Sequence, residues 1–512
     1  ILGRVTRTQY SDNQLTTTIT NPSGATLITQ TYYDERGFQG GLKDMSNVFS
    51  LYNMTTTLDK DTYPIESGYK QRTNSIFASA EIGWKSMLYM TLTGRNDWDS
   101  ALINTEQSSF FYPSIGLSGV ISEMVKLPKA ITYLKVRGSF ASVGAPIPKN
   151  LSSNKTYEWD PATSQWKLQT YRPLPKLYPE RTNSWEAGLN AKFFNNSLSL
   201  EVTWYKANTR KQTFQVPLSG TAVYATMYAQ SGNIENKGME FSLGYNKSWG
   251  DFSWNSNLTF SFNKNKIVEL LDDAVDDEGN HYSLSEIDKG GIGSAKVILR
   301  KGGSMGDMYV TNRLKRDNEG NVFIDKASQN VKKEDIKNSD EFIHIGSVLP
   351  KSNLGFRNDF SYKGISLGFM LAARFGGIVI SPTQAVMDQF GVSKVTALAR
   401  DNEGVPVNNG KVDPQTYYTE VGGISGLMSN YVYSATNVRL QELSVGYSLP
   451  AKWFNNKCNL SLSITGHNLW MIYNKAPFDP EATASTGTYY QGVDYFMQPS
   501  LRSWGFNVKI QF

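Results

Sequence analysis

The chain has 512 residues, of which 39% are hydrophobic, 19% charged and 12% aromatic, with 43 Gly and a formal charge of +5. Scattered Lys and Arg at so small a net charge argue against a nucleic-acid binder, and the single cysteine, Cys458, excludes an intrachain disulfide or a cysteine-rich metal site. No apolar run approaches the roughly 18 residues of a membrane helix, which argues against a helical membrane protein but not against a barrel, whose alternating strands average out in hydropathy.

Along the chain, period-two alternation predicts strands near 4–20, 26–35, 68–82, 86–98, 110–122, 130–143, 182–194, 197–216, 233–246, 251–266, 350–361, 365–378, 431–449, 457–471 and 500–512. Leu198, Leu200, Val202 and Trp204 alternate with Ser199, Glu201 and Thr203. Met239, Phe241, Leu243 and Tyr245 repeat the pattern. So do Leu258, Phe260 and Phe262 against Thr259 and Ser261, and Leu460, Leu462 and Ile464 against Ser461, Ser463 and Thr465. In the last strand Trp504, Phe506, Val508, Ile510 and Phe512 alternate with Ser503, Gly505, Asn507, Lys509 and Gln511. Each strand has one dry face and one wet face.

The links between these strands alternate in length. Short ones fall at 21–25, 83–85, 195–196, 247–250, 362–364 and 450–456, and long ones at 36–67, 144–181, 267–349, 379–430 and 472–499. Short periplasmic turns and long extracellular loops are the rhythm of an outer-membrane barrel, and a soluble sandwich has no reason to keep it. Trp84, Phe193, Phe194, Trp249, Tyr362, Trp453 and Phe454 cluster beside the short turns, as an interfacial girdle does. About fifteen strands is an odd number, beginning with a downward strand if Phe512 ends in the periplasm. Closed single-chain barrels have even numbers, so the expectation is that further strands lie upstream.

From residue 180 onward specific motifs appear. They include Glu180–Asn190, Val202–Asn208 and Ser231-Gly-Asn-Ile-Glu-Asn-Lys-Gly-Met-Glu240. Gly346–Pro350 leading to Asn353–Phe356, then Val438–Pro450, and Phe478-Asp-Pro-Glu481 follow in order, with Phe111–Ile115 and Leu134–Phe140 upstream. This ordered set resembles SusC/RagA-type TonB-dependent transporters over roughly residues 85–512. The resemblance implies an all-β fold, a transmembrane antiparallel β-barrel of 22 strands with a plug, of which this chain supplies the C-terminal strands eight to twenty-two without the plug. It also implies a bacterial outer-membrane location, active import of oligosaccharides or peptides, a SusD-type surface lipoprotein as lid, and TonB acting through the plug. Phe512 resembles the terminal signal read by the barrel-assembly machinery.

Aromatic loop residues are candidates for ligand or lid contact: Trp159, Trp166 and Tyr171 in one loop, Tyr489, Tyr490 and Tyr495 in another. Their alternative role is packing the loops. Asp317, Glu319, Asn321 and Asp325 resemble a calcium-loop pattern that family members carry, against the alternative of a solvated hairpin turn. Asp272–Glu278 reads as a hydrated loop edge. No other cofactor is expected, and no enzyme: the pair Asp97 and Asp99 fits a glycosidase only by chance spacing, and His467 reads as a lumen or rim residue. Gly290–Gly293 and Gly302–Gly306 lack the strand–loop–helix frame of a nucleotide site. Two rivals are a soluble or secreted β-rich glycan-binding protein or hydrolase, and a structural or adhesive outer-membrane barrel.

Overall fold

The structure is a computed structural model. It describes residues 2–10, 13–20, 26–34, 37–39, 65–67 and 70–511, apart from 104, 106, 146–156, 161–164, 169–170, 173–177, 218–225, 276–280, 409, 456, 486 and 488–490. Before residue 72, and at a few later positions, the description is of the backbone alone.

Fourteen strands form one continuous antiparallel sheet in chain order. They are β1 (Leu2–Tyr10), β2 (Lys70–Trp84), β3 (Leu88–Asp99), β4 (Ser109–Val120), β5 (Ile131–Ala145), β6 (Glu180–Phe193) and β7 (Leu198–Pro217). Then come β8 (Thr226–Trp249), β9 (Phe252–Glu269), β10 (Ser352–Tyr362), β11 (Ile365–Phe375), β12 (Asn437–Ser448), β13 (Asn459–Asn474) and β14 (Ser503–Gln511). A two-residue strand, Tyr171–Arg172, joins the sheet in parallel beside the start of β8.

Register turns the alternation into a surface. Ala191, Leu200, Leu243, Leu258, Phe356 and Leu371 are successive cross-strand partners, so one apolar row crosses six strands. A soluble sheet would bury that face. Here its large side chains stand outward, among them Ile76, Trp204, Phe262, Val445 and Ile464, with Trp185 57% and Phe506 68% exposed. An apolar surface of this extent is a membrane-facing or partner-facing surface, not that of a soluble monomer. Among the described residues no helix is long and apolar enough to cross a membrane, which leaves spanning by strands open.

The sequence reading and the structure differ at the start of the chain. A strand over 4–20 and a partner at 26–35 were expected in the barrel wall. Instead β1 pairs directly with β2, from Leu2 opposite Ala78 to Tyr10 opposite Lys70. Asn13–Thr20 and Thr26–Asp34 fold back as a separate four-stranded sheet with Gly37–Gln39 and Ile65–Ser67. The turn at 21–25 is therefore not one of the short wall turns. The ordered path holds an even number of strands, and β1 runs toward the long-loop rim, opposite to the expected direction. Likewise 431–449 divides: Val432–Ser434 pairs with Ile378–Ile380 outside the wall, and the wall strand begins at Asn437.

The buried core lies in the long loops above the wall. Leu271, Ile287, Val297, Leu299, Met308 and Val348 from 270–351 meet Ile380, Ala385 and Met428 from 376–436 and Val493 from 475–502. Phe214, Ile234 and Ile267 at the upper ends of β7, β8 and β9 close it from below. Three helices sit in this cap: α1 (Pro382–Gln389), α2 (Lys394–Asp401) and α3 (Pro414–Val421), capped at their N-termini by Ser381, Ser393 and Asp413.

Candidate functional site

The wet phase of the strands forms the inner wall. On β5, Arg137 donates to Asn190 Oδ1 (2.6 Å), Glu201 Oε1 (2.8 Å) and Thr203 Oγ1 (2.6 Å), which fixes its planar guanidinium against the strands. With Glu186, Tyr205, Glu240, Ser261 and Asn353 it lines a recess of about 710 Å³. Further round, Arg357 bonds Asp359 (2.9 Å) and Glu442 (3.3 Å), and His467 Nδ1 lies 4.0 Å from the same glutamate. This surface offers paired charges and hydroxyls, a lining suited to a hydrated polar solute.

The motif 231–240 builds the junction between wall and cap. Gly238 lets strands and side chains approach closely: an added Cβ would overlap the Phe262 carbonyl oxygen and the Tyr205 hydroxyl. Glu235 receives Lys206 (3.0 Å) and Lys237 (3.1 Å). Asn236 Oδ1 accepts from Asn265 Nδ2 (3.0 Å), and Asn265 Oδ1 accepts from the Met305 amide (2.8 Å), which tethers loop 270–351 to the wall.

Two other motifs meet in a buried ion cluster. Arg439 on β12 takes both oxygens of Asp479 (2.9 and 3.2 Å) and one of Glu481 (3.1 Å), while Asn437 Nδ2 donates to the second Glu481 oxygen (3.2 Å). Ser500 Oγ donates to Asp479 (2.5 Å), so both ends of the last loop are held at one point. The cap is also stitched internally. Ser381 Oγ donates to Asp494 (2.5 Å), and Gly426 O accepts from Ser294 Oγ (3.1 Å) and Asn312 Nδ2 (3.2 Å).

The predicted site residues fall as follows. Trp159 and Trp166 are directly opposed in a two-stranded ladder, Tyr157–Asp160 with Gln165–Leu168. Tyr171 is tied by backbone to Thr226. Tyr495 belongs to a different loop, is 42% exposed, and meets Phe496 edge-on with ring centroids 5.1 Å apart. Tyr489, Tyr490 and Phe512 lie outside the described residues. Asp317 Oδ1 accepts from the amides of Glu319 and Asn321 (2.9 Å each), and Asp325 Oδ1 from those of Ala327 and Ser328 (2.9 Å each). Both carboxyls are held below their ordinary value, by the Asn321 amide foremost for Asp317 and the Ser328 amide for Asp325. Each carboxylate thus serves its own turn. Among the described residues no group of three or more His, Cys, Asp or Glu is arranged to hold a metal. Asp97 is engaged by Arg95 and Tyr112, and Asp99 by Thr73 and the Ala101 amide, so the two do not flank a common space as a glycosidase pair must.

Sequence reasoning passed over the inner-wall residues Arg137, Glu186, Glu240, Arg357 and Glu442. Their signal was present: each is charged and sits in the wet phase of a strand whose other phase is apolar.

Comparison with known proteins settles the family. A family model described as TonB dependent receptor-like, beta-barrel matches residues 3–295, more than half of the chain. The chain belongs to this family. TonB-dependent receptor P3 of Formosa agariphila is 25% identical over 94% of this chain and 50% of its own length. TonB-dependent receptor SusC of Bacteroides thetaiotaomicron is 22% identical over 87% of this chain and 44% of its own. Among solved structures, the RagAB peptide importer in its closed-closed state superposes with a TM-score of 0.68 at 18% identity, covering 99% of this chain and 52% of that one. The SusC/RagA-type resemblance read from the motifs is thereby borne out, with an all-β barrel fold. These relatives are receptors and transporters, not enzymes. The chain spans about half the length of the curated relatives it matches.

Proposed function

We propose that this barrel forms the wall and extracellular cap of an active importer in the bacterial outer membrane, which takes up nutrients too large for simple pores. The observation that carries the reading is the two-phase sheet, with apolar rows outward and a charged wall inward. A lipid exterior and an aqueous interior satisfy both faces at once. In hydrocarbon a sheet edge cannot stay unpaired, so β1 and β14 are completed by the rest of a larger barrel. A lumen of that size needs a plug, and TonB would act on it.

A SusD-type lipoprotein on the loop rim is the partner this reading requires, and the exposed Tyr495, Phe496 and Met497 are suited to meet it. For the ligand, the paired charges of the inner wall favour a peptide, while Trp159 and Trp166, partners in backbone register, are our candidates by residue type for stacking on an oligosaccharide. The test is uptake by the native host with the gene deleted and restored, with and without TonB, using labelled peptides and oligosaccharides separately. Mass spectrometry of the detergent-purified complex identifies the lid. Uptake that survives loss of either the gene or TonB would overturn the reading.

In the sequence Phe512 continues the alternation of Trp504, Phe506, Val508 and Ile510, and we propose it as the assembly signal. Deleting it should reduce the barrel level in the membrane several-fold, as read by surface labelling, while the protein that does assemble binds ligand normally. Unchanged surface levels would exclude that role.

A further inference from the structure

The short-turn rim carries a charge pattern that spanning a membrane does not by itself demand. The connections 85–87, 121–130, 363–364 and 449–458 contain Lys85, Lys126, Lys129, Lys363, Lys452 and Lys457, and Lys247 lies in the outward phase of β8 two residues before Trp249, whereas the acids in the short connections are Glu123 and Asp251. All seven lysines are exposed.

Three of them lie over rings, not against carboxylates. Lys85 Nζ is 4.9 Å from the Trp84 centroid, Lys363 Nζ 5.3 Å from Tyr362 and Lys247 Nζ 5.7 Å from Trp249. Lys452 adjoins Trp453, which is 63% exposed. At three of the turns ring and ammonium therefore share one place on the outer rim, and at 449–458 Lys452 precedes an exposed ring in sequence. Backbone conformation adds a second observation. Lys85 and Lys363 hold φ of 49° and 47°, a region where Asn or Gly costs less; at the 194–197 turn it is Asn195 and Asn196 that occupy it. Lys85 and Lys363 thus stand where a cheaper residue would fit the turn.

Amphipathic rings settle at the level of the lipid interface. One or two residues further out, at about 3.3 Å per residue, is the depth of lipid phosphates. We infer that Lys85, Lys247, Lys363 and Lys452, each beside its ring, form a belt of sites for the anionic headgroups of glycerophospholipids in the leaflet facing the short turns. The belt would fix the depth and tilt of the barrel. The inference rests on the membrane reading above and adds a lipid class to it.

The test uses the transporter purified from membranes in detergent, with dioleoylphosphatidylglycerol and dioleoylphosphatidylcholine as probes in mixed micelles and bound lipid counted by native mass spectrometry. Each basic residue near an anionic lipid surface contributes about a fivefold gain in affinity. The fourfold variant K85Q/K247Q/K363Q/K452Q should therefore bind phosphatidylglycerol at least about tenfold more weakly, with phosphatidylcholine unaffected. The matching Arg variant should keep the preference. A cap variant of equal charge loss, K301Q/K326Q/K332Q/K337Q, should stay within about twofold of the parent. If the fourfold Gln variant does not assemble, K85Q/K363Q carries the measurement with a smaller expected loss. Undiminished phosphatidylglycerol binding by the rim variant, equal loss in the cap variant, or no preference between the two lipids in the parent would each overturn the inference. Extraction of the parent without detergent would instead overturn the membrane reading itself.

Discussion

Leu258→Arg should nearly abolish assembly of the barrel, whereas Thr259→Arg, one residue along, should be tolerated. Leu258 sits in the apolar row, with Leu243 and Phe356 as its cross-strand partners. A charged side chain facing lipid near mid-depth costs about 2–4 kcal/mol. At about 1.4 kcal/mol per factor of ten that is roughly 30- to 700-fold in the folded-to-unfolded ratio. Thr259 lines the inner recess, where a guanidinium meets water, Glu240 and other polar groups. The two variants differ in charge by the same amount and in position by one residue, so only the face can separate them. The fraction of barrel that resists unfolding by detergent before heating measures the difference. Equal damage from both substitutions would mean that neither face is wet, and the wall would have to be the interior of a globule.

The same alternation explains how far the sequence could be read. The dry and wet phases of β2 to β14 were legible because each strand carries its own record of which face meets hydrocarbon. The direction of the first wall strand and the place of the hairpin after it were not. Asn13–Thr20 does pair with Thr26–Asp34, the segment expected beside it, but in a separate sheet, because the wall position is taken by β1 pairing with β2 far along the chain. The cap was hidden for a related reason. Ile380, Met428 and Val493 are buried only because three loops converge, and no local period announces a core assembled that way. Of the candidate site, the aromatic loop residues attracted notice by type, while the wall charges were overlooked as the uniform polar phase. The motif Phe478–Glu481 was visible as a pattern, but its partner Arg439 lies in another motif, and a buried ion cluster between them can be seen only in space.

That cluster supports the remaining prediction: Arg439→Met should release the last loop from the wall. The Arg439 side chain is 7% exposed and faces two carboxylates. Removing it leaves Asp479 buried without a counter-charge, a change that costs about 3–5 kcal/mol in comparable settings. The loss should be local, because the apolar wall rows are untouched. Amide exchange across 475–502 should speed up by two or more orders of magnitude while that of β12 and β13 changes little. Adding Asp479→Leu should restore much of the protection, since an apolar pair needs no counter-charge. Acid should mimic the single variant. Burial pushes the Asp479 carboxyl up, but the hydrogen bonds from Arg439 and Ser500 outweigh it and hold the group below its ordinary value of 3.8. A carboxyl with a lowered folded value contributes stability at pH above that ordinary value and loses it as pH falls through the folded one. The parent loop should therefore stay ordered at pH 5 and loosen only below about pH 4. The Arg439→Met/Asp479→Leu barrel should show no such acid step. If the single variant left exchange in 475–502 unchanged, Arg439 would be an occupant of the loop base and not its anchor.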